Sequence, residues 1–430
     1  MHEASVYNSH AEFKTSDYLD VTNNSSSTRS TVEGASSFSS WFGTSRTDQQ
    51  HQQRIYTRHQ YYANGIEKLE EITAVMIVLH GYGEHCTCKT IQKIAGIMNQ
   101  ENIVVYSFDI RLFNKCTRVV TVSSTTCSHE KDINEANNQE SIQNIEEIRM
   151  NIDFEQALED IASAIEDVSV CFPAFQFPNL KILLFGYSFG ATLGMQFLTS
   201  SKFEKIPDKR LNGLILVSPF IYNCNGLEEN DSQHHSKTPE VPSESSSWSL
   251  YFLKKASYWL PNYQVLHFDK DTIKKKFSED LELLEMLEND PVIRENSSMS
   301  TTSHTTYLLP PFTANFAQRT LEALKEIENA FSEKGPIHTE QSVSAVRRSH
   351  NLRVLFMHGR NDTLSPAANS SVKWNQELNR HHEFSTISQL ILYENRKHYF
   401  LLDRDSENVF GDILQFIKQQ CLHDRSSTSN

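Results

Sequence analysis

Short apolar runs alternate with amphipathic stretches along most of this chain. Six runs have the nearly continuous apolar character of buried parallel strands; they span residues 73–79, 103–108, 181–185, 214–217, 353–357 and 389–393. Apolar residues recur at helical spacing over residues 89–99, 153–168, 189–199, 366–379 and 407–419, the fourth opening on a predicted cap at Ser365 and a first-turn proline at Pro366. This alternation predicts an α/β fold, with a mostly parallel central sheet flanked by helices.

Four stretches depart from the alternation and set the predicted domain boundaries. Residues 1–52 form a leader rich in Ser, Thr, Asn, Gln and His, predicted to be disordered, and 423–430 form a tail of the same kind. Residues 114–150 read as a polar insertion, and 219–350 as an inserted helical lid. The core of the fold is therefore predicted in two parts, over residues 53–218 and 351–422.

Charge and cysteine usage narrow the classes of function. The net charge of −14 disfavours nucleic-acid binding and offers no basic face to anionic lipid. Seven cysteines without framework spacing favour a reducing compartment. No apolar stretch reaches membrane-spanning length and residues 1–20 do not read as a secretory signal, so the sequence predicts a cytoplasmic protein, peripheral at membranes if it contacts them.

The stretch LLFGYSFGATLG contains Gly-x-Ser-x-Gly at residues 186–190, between a predicted strand and a predicted helix. A serine on such a sharp strand-to-helix turn has its hydroxyl exposed at the edge of the sheet. Gly186 and Gly190 fit positions where a β-carbon would crowd the turn. We therefore predict that Ser188 is a nucleophile.

A serine nucleophile needs a base and an acid that orients the base. In parallel sheets these residues lie on loops after strand ends, which here carry Asp362 in HGRNDTLSP and His398 in ENRKHYFLL. Glu394 is the rival acid, and it is better placed to shape the loop of His398. His381 and His382 precede the last strand and are expected at the wrong edge of the sheet. The chain order Ser, Asp, His is that of α/β hydrolases.

The stretch HGYGEH at residues 80–85 follows the first predicted strand and supplies a candidate oxyanion loop. The backbone amides of Tyr82 and Phe189 are the predicted donors. His80, Glu84 and His85 could suggest metal binding or acid–base chemistry, but bracing of the loop is the favoured role, and Asp109 is expected to be structural. No zinc-type ligand spacing accompanies Cys86 and Cys88, and we predict no metal and no cofactor.

With these motifs the sequence resembles the α/β-hydrolase superfamily, and within it the monoacylglycerol lipase and lysophospholipase group, also called the serine aminopeptidase-like family. The resemblance covers about residues 55–420 and is carried by HGYGEH (80–85), GYSFG (186–190), SPF (218–220), HGRNDTLSP (358–366) and His398. It implies Ser188 as nucleophile, Asp362 and His398 as its partners, and Tyr82 and Phe189 as oxyanion donors.

The resemblance implies a cofactor-independent serine hydrolase acting on a fatty-acid ester, a monoacylglycerol or lysophospholipid in particular. A peptidase or an acyltransferase on the same fold is the first alternative, and a non-catalytic scaffold is the second. WSLYFLKKASYWL (248–260) in the predicted lid either makes a transient contact with a membrane surface or packs as a cap helix on its own domain. The sequence leaves the oligomeric state and the acyl-chain length open.

Overall fold

The structure is a computed structural model of the chain. It describes residues 18–20, 52–110, 118–122, 154–206, 210–221, 255, 257–260, 263–266, 268–278, 280–293, 309, 312–331, 352–380 and 387–422. Most of the predicted leader, the 114–150 insertion and the C-terminal tail lie outside these residues. The predicted domain boundaries therefore remain predictions.

The centre of the described fold is a seven-stranded, mostly parallel sheet, which confirms the predicted fold class. Its strands in spatial order are β2 (Gln52–Tyr62), β4 (Ile103–Phe108), β3 (Ala74–Leu79), β6 (Lys181–Tyr187), β7 (Leu211–Val217), β10 (Arg353–Gly359) and β11 (Ile387–Tyr393). All neighbours are parallel except β2 and β4. Every residue of β3, β4 and β7 is buried, because helices cover both faces of a parallel sheet.

Strand β2 is the longest of the strands that the apolar pattern missed. Its sequence, QQRIYTRHQYY, is mostly polar, and it runs antiparallel to β4 at the edge of the parallel strands. The first part of β2 pairs with β1 (Tyr18–Asp20) and β5 (Arg118–Val122). His59 and Tyr61 of β2 are buried, and the His59 Nδ1 atom lies 3.0 Å from the Tyr106 hydroxyl. An edge strand that buries polar side chains through hydrogen bonds gives no apolar run to recognise.

The described helices are α1 (Lys89–Asn99), α2 (Phe154–Cys171), α3 (Phe189–Leu198), α4 (Ser201–Glu204), α5 (Lys270–Lys276), α6 (Leu281–Asn289), α7 (Ala314–Phe331), α8 (Ser371–Arg380) and α9 (Glu407–Phe416). Helices α1, α2, α3 and α9 begin within one residue of their predicted starts. Short 3-10 helices occupy Leu69–Glu71 and Ala367–Asn369, and a π-helical stretch, Ile417–Leu422, continues α9. No described helix is long and apolar enough to cross a membrane.

The predicted start of the helix at 366–379 was wrong. Helix α8 begins at Ser371, and the preceding turn is the 3-10 helix Ala367–Asn369. Ser365 does not cap a helix, because its hydroxyl donates to the Pro219 carbonyl (2.6 Å) and accepts the Ile221 amide (2.9 Å). The serine therefore connects the loops that follow β7 and β10.

Between β7 and β10 the described part of residues 219–350, which we call the inserted segment, contains α5, α6 and α7. It also contains a two-stranded antiparallel pair, β8 (Gln264–Leu266) with β9 (Phe312–Thr313). Residues 281–289 and 314–331 of this segment are helical. Helix α7 is tied to α3 by the Gln196 amide, which donates to Glu326 at 2.7 Å. The inserted segment thus lies against the helix that follows the Gly-x-Ser-x-Gly motif.

Candidate active site

Ser188 lies on a sharp turn between β6 and α3. Its φ angle is 53°, in the left-handed region that non-glycine residues rarely adopt. The Ser188 amide donates to the Val217 carbonyl (2.8 Å), and its own carbonyl accepts from Phe220 (3.1 Å) and from Ala191 in the first turn of α3 (3.0 Å). These bonds hold the strained backbone in place, as expected where strain is stored at a functional position.

The two glycines of the motif are required by space. A β-carbon on Gly190 would overlap the carbonyl oxygen of Leu79 at the end of β3, and one on Gly186 would overlap the carbonyl of Gly190. In both cases the obstacle is backbone, which cannot move aside as a flexible side chain can. The close approach of α3 to β3 therefore depends on glycine at these positions.

We expect Gly190→Ala to destabilise the fold by about 1–3 kcal/mol or more, because backbone must shift to admit the methyl group. The urea midpoint of unfolding measures the loss. Gly96→Ala is the matched control, since nothing lies within 4 Å of a β-carbon added there and alanine is the better helix former. Equal midpoints for the two variants would contradict the steric account.

The structure brings the three residues predicted for catalysis into one hydrogen-bonded chain. The Ser188 Oγ atom lies 2.8 Å from His398 Nε2, and His398 Nδ1 lies 2.7 Å from Asp362 Oδ2. All three residues are at least nine-tenths buried. An ionised carboxylate only accepts hydrogen bonds, so the proton of a neutral His398 is on Nδ1 and Nε2 can accept the serine proton.

Asp362 receives four hydrogen-bond contacts. Its Oδ1 atom accepts the amides of Leu364 (2.9 Å) and Ser365 (2.8 Å), while Oδ2 contacts His398 Nδ1 and His358 Nε2 (2.9 Å). Burial acts to raise the pKa of Asp362, but His398 and His358 outweigh it and lower the pKa from 3.8 to about 2. Because the pKa is lowered in the folded state, the stability from this carboxylate is present above pH 4 and is lost as the pH falls through about 2.

His358 is a residue of this site that the sequence reasoning missed. It is fully buried at the end of β10, with Nε2 also 2.7 Å from the Ser365 carbonyl and Nδ1 2.8 Å from the Ser371 hydroxyl. Because both contacts of Nε2 are acceptors, the Nε2 proton is directed at Asp362 and Ser365. The sequence offered one signal for this contact, which is that His358 precedes Asp362 by four residues across a turn.

The rival acid, Glu394, lies apart from this chain of hydrogen bonds. Glu394 is 71% exposed at its side chain and pairs with Arg360 at 2.5 Å. It therefore shapes the surface of the loop between β11 and α9, which we call the histidine loop (residues 394–405). His381 and His382 lie outside the described residues.

The predicted oxyanion donors border the same site. Phe189 is the first residue of α3. The backbone amides in the first turn of a helix have no acceptor within the helix and point outward from its N-terminus. Tyr82 lies in the loop of residues 80–85, which we call the oxyanion loop, and its ring packs against Phe268, Phe312 and Phe316 with centroids 4.8–5.7 Å apart. Tyr82 follows the carboxyl end of β3, and Phe189 follows that of the neighbouring strand β6.

The charged residues of the oxyanion loop make bracing contacts. The Glu84 Oε2 atom accepts the Gly81 amide (3.0 Å), and its Oε1 atom accepts the hydroxyls of Thr90 (3.0 Å) and Tyr399. The His85 Nε2 atom lies 3.0 Å from Asp290, just after α6. Burial raises the pKa of Glu84, against the lowering effect of its hydrogen-bond donors.

The cysteines and Asp109 near the oxyanion loop make structural contacts. The described residues contain no cluster of three or more His, Cys, Asp or Glu side chains placed to hold a metal ion. The Asp109 Oδ1 atom accepts the Cys86 amide at 2.7 Å, which is a structural contact between the loops that follow β4 and β3. Cys86 and Cys88 are both fully buried free thiols.

Beside Ser188 lies a small cavity that is lined mostly by apolar side chains from both the core and the inserted segment. Its walls are Gly81, Tyr82, Glu84, Ser188, Phe220, Phe268, Phe277, Leu283, Leu287, Leu309, Phe312, Leu364 and Tyr399. The space amounts to about 20 Å³, which is room for about one water molecule. An acyl chain enters only if some of these side chains move.

The inserted segment is joined to the histidine loop at several points around Phe277. The Phe277 carbonyl accepts the Tyr399 amide (2.9 Å), and its ring packs edge-on against the His398 ring at 5.4 Å. On either side, Lys397 Nζ donates to the Lys274 carbonyl (3.0 Å) and the Ser278 hydroxyl donates to Asp403 (2.7 Å). This seam, formed by the described residues of 274–280 and by 397–404, places part of the inserted segment directly against His398.

The family model described as Hydrolase_4, serine aminopeptidase, S33, matches residues 148–405, which is more than half of the chain. A comparison with curated proteins by sequence finds no match.

Solved structures give a likeness in fold. A soluble variant of monoglyceride lipase from Saccharomyces cerevisiae, in complex with a substrate analogue, is 16% identical with a TM-score of 0.52, covering 86% of this chain and 93% of that chain. A monoacylglycerol lipase from Paleococcus ferrophilus is 15% identical with a TM-score of 0.46, covering 83% of this chain and 96% of that chain. At such identities the similarity to the yeast protein establishes the fold alone.

Proposed function

We propose that this chain, which belongs to the serine aminopeptidase S33 family of α/β hydrolases, is a serine hydrolase that cleaves a carboxylic ester of a fatty acid. The observation that carries the proposal is the hydrogen-bonded chain from Ser188 Oγ through His398 to Asp362. It opens onto an apolar cavity, which favours an acyl chain as the group bound beside the serine. Monoacylglycerols and lysophospholipids are the proposed substrates.

In the proposed reaction, Ser188 Oγ attacks the acyl carbonyl carbon while its proton passes to His398 Nε2. Asp362 stabilises the resulting imidazolium, and the amides of Tyr82 and Phe189 stabilise the oxyanion. The tetrahedral intermediate then expels the alcohol, which takes the proton from His398, and leaves an acyl-enzyme on Ser188. Water attacks this ester with His398 as base, releasing the fatty acid and restoring the serine.

The walls of the cavity favour an ester of a fatty acid over an aminoacyl amide. An α-ammonium group needs an acceptor directed at it, and Glu84 is the acidic side chain among the described lining residues. Both carboxylate oxygens of Glu84 already accept hydrogen bonds, from Gly81, Thr90 and Tyr399. Three of the roughly four acceptor sites of this carboxylate are therefore already used in bracing the oxyanion loop, which leaves little capacity for an ammonium group.

A substrate panel tests the proposal. Purified protein is given monoacylglycerols and lysophospholipids of several chain lengths, short p-nitrophenyl esters and aminoacyl amides, and release of acid or amine is followed. We expect long-chain esters to give the highest kcat/KM. Turnover of the amides alone would overturn the ester proposal, and transfer to an added alcohol in preference to water would favour an acyltransferase.

We further propose that the protein meets its lipid substrate at a membrane surface through residues 258–260 and Tyr263. Within the described residues there, Tyr258, Trp259, Leu260 and Tyr263 are between 60% and 78% exposed. Tyrosine and tryptophan are the side chains that favour a lipid–water interface. The Tyr263 carbonyl accepts the Ala314 amide (2.8 Å), beside the cavity-lining Phe312, so this surface is joined to a wall of the cavity.

We expect the double change Tyr258→Ala and Trp259→Ala to weaken binding to phosphatidylcholine vesicles by about tenfold, because two interfacial aromatic side chains are lost. Vesicle co-sedimentation measures binding, and hydrolysis of a short soluble ester serves as the internal reference that should not change. Phe175→Ala is the control, since Phe175 is 82% exposed after α2. An equal loss of vesicle binding in Phe175→Ala would contradict the proposal that Tyr258 and Trp259 form a specific membrane-binding surface.

A further inference from the structure

His80, the first residue of the oxyanion loop, is completely buried and makes two backbone contacts with its ring. The Nε2 atom accepts the Ile110 amide (3.0 Å), from the segment that follows β4. A nitrogen that accepts carries no proton, so the proton of this neutral ring is on Nδ1. The Nδ1–H group therefore donates to the Gly81 carbonyl, 2.9 Å away.

The Gly81 carbonyl belongs to the same peptide group as the Tyr82 amide. In a planar trans peptide the C=O and N–H bonds point in opposite directions. The Gly81 oxygen is held inside the loop by His80 Nδ1 and, at 3.3 Å, by the Glu84 amide. These two contacts fix the direction of the Tyr82 N–H bond to the opposite side.

The preceding peptide group is fixed as well. Its Gly81 N–H donates to the Glu84 Oε2 atom at 3.0 Å. Gly81 and Tyr82 line the cavity together with Ser188, so the two fixed peptide groups border the position where an acyl carbonyl would react. The His80 ring itself does not line that cavity, and its effect would pass through the backbone of Gly81.

We propose that His80 is a positioning residue of the oxyanion hole, whose Nδ1–H tautomer orients the Tyr82 amide toward the developing oxyanion. The inference rests on the proposed function, because it requires an acyl carbonyl at Ser188. The Ile110 amide selects the tautomer, and the tautomer in turn selects the orientation of the peptide. A change at His80 should thus alter the stabilisation of negative charge on the substrate oxygen rather than substrate binding.

The test compares His80→Asn with His80→Gln. An asparagine amide nitrogen occupies about the place of Nδ1 and can still donate to the Gly81 oxygen. A glutamine oxygen occupies about the place of Nε2 and can still accept the Ile110 amide, but the donor to Gly81 is lost. Each variant is assayed with a p-nitrophenyl ester and with its thionoester, whose sulfur is a weak hydrogen-bond acceptor.

We expect His80→Gln to lower kcat/KM for the ester by about 10- to 100-fold, somewhat less than the loss of a whole oxyanion donor, with KM nearly unchanged. For the thionoester, kcat/KM should fall much less. The ratio of kcat/KM for the ester to that for the thionoester, which is the preference for the ester, therefore becomes smaller. His80→Asn should keep most of that preference. His59→Leu is the control for loss of a buried histidine, since His59 lies on β2 with its ring contacting Tyr106, and it should leave the preference unchanged.

Two results would overturn the inference and remain distinguishable. If the wild-type protein hydrolyses the ester and His80→Gln loses the ester and the thionoester alike, His80 does not orient the oxyanion donor, although the proposed function stands. If the wild-type protein hydrolyses no ester, both proposals are wrong. Thermal unfolding of each variant separates these results from a loss of fold. Should His80→Gln fail to fold, His80→Leu, which also lacks a donor to the Gly81 carbonyl, makes the same comparison with His80→Asn.

Discussion

Ser188→Ala is expected to lower kcat by about 10⁵- to 10⁶-fold, to the residual rate that binding and the oxyanion donors support without a nucleophile. The loss follows from the geometry, since Ser188 Oγ is the atom within 2.8 Å of the accepting His398 nitrogen. Labelling by a fluorophosphonate, which forms a covalent bond with an activated serine, should disappear as well. Both measurements use the folded chain of 430 residues.

Ser169→Ala is the matched control for this substitution. Ser169 lies on α2, and its hydroxyl donates to the Ile165 carbonyl at 2.8 Å, within its own helix. Its loss should leave activity and labelling unchanged. Equal fluorophosphonate labelling of Ser188→Ala and the wild-type protein would show that Ser188 is not the nucleophile.

Asp362→Asn is expected to lower kcat by about 10⁴-fold through the tautomer of His398. All four groups that contact the Asp362 carboxylate are hydrogen-bond donors. In the asparagine side chain, an NH₂ group replaces one of the two acceptor oxygens. That group cannot face the backbone amides of Leu364 and Ser365, which have no other tautomer, so it turns toward the histidines. His398 must then accept at Nδ1 and carry its proton on Nε2, where it cannot take the proton of Ser188.

Glu394→Gln tests the rival acid in the same assay. Glu394 is exposed and paired with Arg360, so its loss should change kcat by no more than about twofold, as for most surface ion pairs. A large loss in Glu394→Gln with little effect of Asp362→Asn would reverse the assignment. The pKa of Asp362, lowered to about 2, predicts that its own ionisation does not limit activity near neutral pH.

The sequence predicts the parallel core well, because buried strands of β3, β4 and β6 leave continuous apolar runs. The family and the fold class are confirmed. The meeting of Ser188, Asp362 and His398 follows from the rule that loops after parallel strands share one edge of the sheet. Their catalytic roles stay predictions that the two substitutions above test.

Other parts of the site leave little trace in the sequence. Strand β2 buries His59 through a hydrogen bond, so its sequence reads as polar. The contacts of Phe277 with the histidine loop join residues more than a hundred positions apart, and no local pattern encodes such a pairing. His358 was overlooked because a histidine that serves an aspartate resembles any other histidine in a chain that has 18 of them.

The seam between residues 274–280 and the histidine loop bears on how this enzyme class can be re-engineered. Exchanging the inserted segment for that of a relative is the obvious way to change substrate preference without touching the core. Here the exchange would also remove the Phe277 carbonyl and ring from around His398. A chimaera must therefore transplant residues 274–280 and 397–404 as a matched pair, because the Phe277 carbonyl and ring join the inserted segment to the histidine loop.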